Sequence, residues 1–329
     1  MNDEIIEKLY DIVDEMTMLL VEHGHLRYLD ALCGAGANIV SADVLQEVDT
    51  EIEIKLFALG KQLNDMTFEV EEVRKALQLA LLKGLKADYL SLDTMTPDAI
   101  AMIVGYLINK LISHATQLNL ADFVVGTGNL LTATLNTLEA ESVEVYGVDD
   151  DYQMLALSKM MADMQDYDVQ FFHQSSASAL AVPKVDVIIG DLPIEGKVDV
   201  ADLTSQLAAV GCDFLPYLLI ENHLDYLVDG GYGIYVINND FFSKTYTAEF
   251  HQVVSEKAEI GMLLQLPETL FKEASKQKSI LVVKKHQLDQ VTAKEVLVGR
   301  FPNPNCVEAF HTVLTKIEKW ITMNKWERN

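Results

Sequence analysis

The chain has 329 residues, 50% of them hydrophobic and 23% charged, a composition that supports a large buried core and more than one domain. Lys and Arg number 25 against 50 Asp and Glu, a formal net charge of −25; this argues against nonspecific grip on a nucleic-acid backbone, because that affinity comes largely from Lys and Arg displacing counterions. The opening MNDEIIEKLYDIVDEM is acidic and amphipathic rather than a secretory signal, no apolar run is long enough to span a bilayer, and Cys33, Cys212 and Cys306 form no CxxC pair. A membrane span, a disulfide framework and a metal site are therefore not expected, and a reduced cytoplasm is the expected setting.

From Asp3 to about Lys86 apolar residues recur at helical spacing, first as Ile5, Leu9, Ile12, Met16 and Leu19 and later as Val70, Val73, Leu77, Ala80 and Leu81. This predicts a helical N-terminal domain over residues 1–92. The polar segment SLDTMTPDA follows, with Thr96 as an expected N-cap and Pro97 at the first helical position. A helix over Ile100–Leu118 then leads into alternating short apolar strands (DFVVG, SVEVYGVD, DVQFFH, VDVIIGD, GYGIYVIN) and amphipathic helices. That alternation predicts an α/β domain over residues 93–287 with an open, mostly parallel sheet. IGMLLQLP and SILVVKKH, joined by the polar ETLFKEASKQK, are expected as an antiparallel pair at the far edge. Residues 288–329 read as a tail with a helix over Val307–Trp320.

The chemistry begins at ADFVVGTGNLL, where a strand runs into Gly126, Thr127, Gly128 and Asn129 and then a helix. Glycines there let the backbone turn sharply and approach a ligand, and the helix start offers free amide hydrogens. About 20 residues on, the strand VEVYGV ends at Asp149, where a carboxylate can accept hydrogen bonds from ribose hydroxyls. Leu131 stands where the third glycine of the dinucleotide fingerprint belongs, so a nucleoside cofactor is favoured over NAD. A further strand ends at Asp191, Leu192 and Pro193, at the carboxyl edge where open α/β sheets bind ligands.

The order TPD, DFVVGTGNLL, GVDDD, IIGDLPI and LPETLFK…KSILVVKK resembles the class I S-adenosylmethionine-dependent methyltransferases, and within them the N6-adenine DNA methylase-like family. The resemblance covers about Thr96 to Lys285 and implies a Rossmann-like methyltransferase sheet with S-adenosylmethionine as cofactor. Carried onto this chain, it implies that Thr96 and Pro97 lie by the methionine end and that Asp122 and Gly126 to Asn129 hold the amino acid portion. It further implies Asp149, with Asp150 beside it, at the ribose. Ser175 and Ser176 stand where the family often has an acid for the adenine amino group. The family's amino-methylating motif is Asn, Asp or Ser, then two prolines and an aromatic ring. Here Asp191 keeps the acceptor and Pro193 the second proline, whereas Leu192 replaces the first proline and Ile194 the ring. Losing a stacking platform forfeits roughly 1–3 kcal/mol per flipped base.

The expected function is methyl transfer to a nitrogen of an unidentified acceptor, with Asp191 and Pro193 as catalytic residues. Duplex DNA is disfavoured as acceptor by the acidic charge and by the absence of a recognition domain after the sheet. A cofactor-binding module without turnover, acting through a protein partner, is the alternative, and the amphipathic N-terminal helices could also mediate a homodimer. A nicotinamide-dependent oxidoreductase is disfavoured by Leu131 and by the lack of a hydride-transfer acid. CGAGAN at Cys33 to Asn38 imitates the glycine turn but follows a polar helical stretch, so it is expected at a helix end. FPNPN from Phe301 is expected in a tail loop, His173 with Phe171 and Phe172 as core and edge residues of the third strand rather than a catalytic group, and Asn238 and Asn239 in a polar turn.

Overall fold

Four helices open the chain: α1 (Asp3–Gly24), α2 (Tyr28–Ser41), α3 (Thr50–Asn64) and α4 (Val70–Ala87). There follow α5 (Asp98–Leu111), β1 (Gln117–Asp122), α6 (Asn129–Leu135), β2 (Ser142–Asp149), α7 (Tyr152–Asp163), β3 (Val169–His173) and β4 (Val185–Asp191). The remaining elements are α8 (Gln206–Ala209), α9 (Leu215–His223), β5 (Leu227–Asn238), α10 (Thr247–Lys257), β6 (Ala258–Gln265), β7 (Lys278–Lys285), β8 (Leu297–Arg300) and α11 (Val307–Asn324). This computed structural model describes all residues except 65, 114, 202, 288–294, 304 and 329. Among the described residues no helix is long and apolar enough to cross a membrane.

The chain divides into two compact units. The first joins Met1–Thr96 to Gly126–Asn136 and Asp151–Val169, so it holds α1 to α4 together with α6 and α7. Helix α1 starts where the Asn2 side chain accepts the Glu4 N–H at 3.0 Å, satisfying a donor that the helix itself leaves unpaired. Helix α4 starts with a reciprocal cap between Glu69 and Glu72, and the other Glu72 oxygen accepts the Asn2 N–H at 2.7 Å. The apolar stripes close on one core of Leu9, Met16 and Leu20 from α1, Leu29 and Leu32 from α2, Leu77 and Leu81 from α4, and Leu157 and Met161 from α7. Each side chain so buried contributes about 1.5–3 kcal/mol. The glycines of CGAGAN lie inside α2 rather than at a helix end: a Cβ on Gly36 would stand 2.5 Å from Met160 Cγ, so the small residue there serves packing.

The second unit comprises Pro97–Val125, Thr137–Asp150 and Gln170–Asn329 and carries the sheet, in the order β3-β2-β1-β4-β5-β7-β6-β8. Strand β1 pairs parallel with β2 and β4, and β4 with β5; β7 runs antiparallel to both β5 and β6, and β8 returns parallel to β6. One face buries Ile188, Tyr235, Ile237 and Leu281 against Tyr217 and Ile220 of α9 and Phe250 and Val254 of α10. Tyr232, an odd number of residues from Tyr235, projects to the opposite face, where its hydroxyl donates to the Trp326 carbonyl.

Several boundaries depart from the sequence reading. Strand β1 covers Gln117–Asp122 rather than DFVVG, and α5 stops at Leu111, because Gln117 and Asn119 belong to the strand despite their polarity. The Asn119 N–H and side-chain amide both donate to Asp186 Oδ2, which keeps that polar residue inside a sheet. Pro97 is the N-cap of α5 rather than its first residue. The antiparallel strand β7 lies inside the sheet, and β8, within the expected tail, adds a further edge strand that its short LVGR sequence concealed. Helix α11 runs on to Asn324. The FPNPN stretch follows β8 as a connection; its second proline lies outside the described residues.

Candidate functional site

Parallel pairing brings the carboxyl ends of β1, β2 and β4 to one edge of the sheet unit. Asp122 is in register with Gly147 of β2 and Ile189 of β4, so Asp149 and Asp191 each stand two residues further along their strands. Asp122 is 1% exposed; its Oδ1 accepts the Val124 N–H at 3.0 Å, and its Oδ2 is buried with no partner among the described residues. Burial pushes this carboxyl up to about 8, the Val124 N–H opposes the shift, and the nearby Asp149 and Asp191 charges add to it. An edge that crowds three carboxylates and leaves one buried oxygen without a donor is arranged to receive a cation or an N–H group.

Asp149 is half-buried and Asp150 exposed, and the Asp149 carbonyl accepts the Gln174 N–H at 3.1 Å. Ser175 is half-buried. Ser176 is buried, and its hydroxyl donates to the Phe123 carbonyl, so its proton is committed to the chain itself. His173 is exposed at the strand end with Nε2 2.9 Å from the Asp150 carbonyl.

The amino-methylating motif at Asp191 is bound by a residue that sequence reasoning missed. Asp191 Oδ1 accepts a 2.5 Å hydrogen bond from the Lys278 ammonium, and the two side chains are only 12% and 10% exposed. Lys278 opens β7 opposite Asn238 of β5 and reaches past that strand to Asp191. The only sequence signal for it is a charged residue at the head of the apolar run SILVV, since its partner lies 87 positions away. Leu192 is 1% exposed in the core, Pro193 and Ile194 are half-buried, and the Leu192 N–H donates to the Val236 carbonyl. Asn238 is the buried last residue of β5 rather than part of a turn, and it is occupied locally, donating to the Ser275 carbonyl and accepting the Asp240 N–H.

The glycine turn belongs to the helical unit. Gly126 and Gly128 take φ values of 52° and 78°, the left-handed region that glycine enters without strain. A Cβ on Gly128 would also lie 2.6 Å from Ser158 Oγ and 2.9 Å from its Cα. Thr127 and Asn129 are buried, and α6 ends at Leu135, shorter than LLTATLNTLEA predicts. Asn129 accepts from Arg74 Nη1 at 2.8 Å and donates to the Thr96 carbonyl at 2.7 Å. Thr96 is buried and Pro97 exposed.

The family described as N-6 DNA Methylase matches residues 93–309, and the YtxK N-terminal helical domain matches residues 7–85. A Bacillus subtilis protein, uncharacterized protein YtxK, is 29% identical over 333 residues, covering 99% of this chain and 100% of its own. The chain is similar to a crystal structure from Listeria monocytogenes assigned to the class I S-adenosylmethionine-dependent methyltransferases: identity is 32%, the TM-score is 0.88, and 97% of this chain and 99% of that one are covered. The type I restriction-modification methyltransferase subunit of Streptococcus thermophilus shares the fold at 12% identity, with a TM-score of 0.62 and coverage of 98% and 77%.

Proposed function

From the premise that the chain belongs to the N-6 DNA methylase family, we propose that it binds S-adenosylmethionine and transfers the methyl group to a nitrogen of an acceptor held at the sheet's carboxyl edge. The observation that carries this reading is the buried, unpartnered Oδ2 of Asp122 beside Asp149 and Asp191. The residues fit the cofactor. In the sheet unit, Asp122 would take the ammonium of its amino acid portion and Asp149 would accept from its ribose hydroxyls; in the helical unit, the left-handed Gly126 and Gly128 carry no Cβ at the turn that the family resemblance assigns to the cofactor. Of the two serines, Ser175 would be the one to bond the adenine amino group, because the Ser176 hydroxyl donates to the Phe123 carbonyl.

When bound, the cofactor supplies a methyl group on a positively charged sulfur. Asp191 would accept a hydrogen bond from the acceptor's N–H, concentrating lone-pair density on nitrogen, and afterwards take or pass on the proton. The Lys278 ammonium on Asp191 Oδ1 would hold the carboxylate in place for that role. Holding both reactants in line at one edge supplies the proximity that direct displacement needs. Neither a flipped adenine nor duplex DNA is favoured, given Ile194 in place of the ring and a net charge of −25.

The Lys278 pair also favours a second reading, in which Asp191 is committed to its lysine and the protein binds the cofactor without consuming it, reporting to a protein partner. One assay separates the two. Protein and labelled cofactor are incubated with protein, RNA, DNA and small-molecule fractions, and S-adenosylhomocysteine is measured. Label transfer that Asp191→Ala abolishes supports methyl transfer; transfer that survives this change removes Asp191 from the chemistry; cofactor that stays bound and unconsumed supports the second reading.

A further inference from the structure

A guanidinium carries a permanent charge and five N–H donors, so it is buried only where acceptors neutralise it and fix its plane. Arg74 of α4 is 1% exposed. Its Nε and Nη2 form a fork on Glu71, at 2.8 and 2.6 Å, and Nη1 donates to Asn129 Oδ1 at 2.8 Å. Burial alone would raise the Glu71 carboxyl, but the bonds from Arg74 and Asn136 outweigh it and hold Glu71 below the usual carboxylate range. The Glu71 carboxylate thus takes one edge of the guanidinium, and Nη1 carries the contact to the Asn129 amide.

That amide joins two backbone segments. Asn129 directly follows Gly128, and its Nδ2 donates to the Thr96 carbonyl. Through one side chain, Arg74 fixes both the end of the turn at Gly126 to Asn129 and the residue before Pro97. The Asn129 side chain is therefore engaged with the protein at both its oxygen and its nitrogen, rather than reserved for a ligand.

We propose that Arg74 is a positioning residue for cofactor binding: acting through Asn129, it holds the glycine turn in its left-handed conformation, which makes helix α4 of the N-terminal region part of the cofactor-binding apparatus. The proposal rests on the reading that this turn receives S-adenosylmethionine. Lysine cannot replace the arginine, because a single ammonium on a flexible stem does not span a bidentate carboxylate and a separate amide in one plane.

The test is a thermodynamic cycle on affinity for S-adenosylhomocysteine, measured by calorimetry on the full chain. Arg74→Lys keeps a cation beside Glu71, and Asn129→Ala leaves the Arg74–Glu71 pair intact, so each variant cuts the link while sparing the buried charge pair. Each single change is expected to weaken binding about tenfold, within the range for residues that act on a site through another. The double variant is expected to bind no more weakly than Asn129→Ala alone, since Arg74 acts through that amide; losses that add would mean that the two side chains act separately. Additive losses, or unchanged affinity in variants that keep the wild-type unfolding transition, overturn the proposal. Absence of binding by the wild type would instead refute the underlying reading, and the proposal with it.

Discussion

Replacing Lys278 by Met would remove the ammonium from Asp191, which is only 12% exposed and near enough to the Asp122 carboxyl to act on its charge. Breaking a buried pair by removing one partner costs about 3–5 kcal/mol, because a desolvated charge is left uncompensated. Asp191→Asn should cost a similar amount by stranding the ammonium. Combining the two removes both charges, and replacing a buried pair by neutral groups of similar volume is close to neutral, so the double variant should lose at most about 1–2 kcal/mol. The predicted coupling is therefore at least about 3 kcal/mol. Equilibrium urea denaturation of the four proteins, followed by tryptophan fluorescence, measures it. Both tryptophans, Trp320 and Trp326, lie in the sheet unit, and Trp326 is 1% exposed, so the signal reports the unit that holds the pair. A coupling below about 1 kcal/mol, the value of a solvent-exposed ion pair, would refute the claim that this contact is desolvated and that it constrains Asp191.

Other expectations follow from the same chemistry. Because burial lifts the folded-state Asp122 carboxyl to about 8, above its ordinary 3.8, its contribution to stability falls as pH rises between those values; Asp122→Asn should raise the ligand-free melting temperature at pH 9 and leave it unchanged near pH 4. His223 has neither ring nitrogen partnered among the described residues, and burial pushes it from 6.5 down to about 3. Stability should drop as pH falls through that window, and His223→Phe, which keeps a ring against Phe123 and Tyr235, should flatten the acid limb of a circular-dichroism titration. Gly128→Ala combines a left-handed backbone, costing roughly 1–2 kcal/mol for a residue with a Cβ, with a clash on the Ser158 backbone. It should lower the melting temperature and abolish cofactor binding in calorimetry, whereas Gly211→Ala, left-handed with only a 3.5 Å neighbour, should spare binding.

Much of the fold was legible because strands and helices here follow simple periods. The apolar stripes of α1 and α4 and the runs VEVYGVD and VDVIIGD need burial to make sense, and each forms the element its pattern predicts. The departures have local causes. Strand β1 was displaced because Gln117 and Asn119 look like loop residues until Asp186 of a neighbouring strand is there to bind Asn119. Strand β8 has only four residues with alternating exposure, and Gly36 imitates a ligand turn although it is small to admit Met160. At the candidate site, residues that end strands were readable, since a carboxylate at a strand terminus is conspicuous. The side chains that restrain them were not: Arg74 reaches Asn129 across 55 positions and Lys278 reaches Asp191 across 87, and no periodicity encodes such pairings.

The most direct test of the account is calorimetric titration of the purified protein with S-adenosylmethionine, with Asp149→Ala as control. The account predicts saturable binding at one site per chain that the control loses while keeping its unfolding transition. No binding by the wild type, or binding that Asp149→Ala leaves intact, would contradict the assignment of the sheet's carboxyl edge to that cofactor.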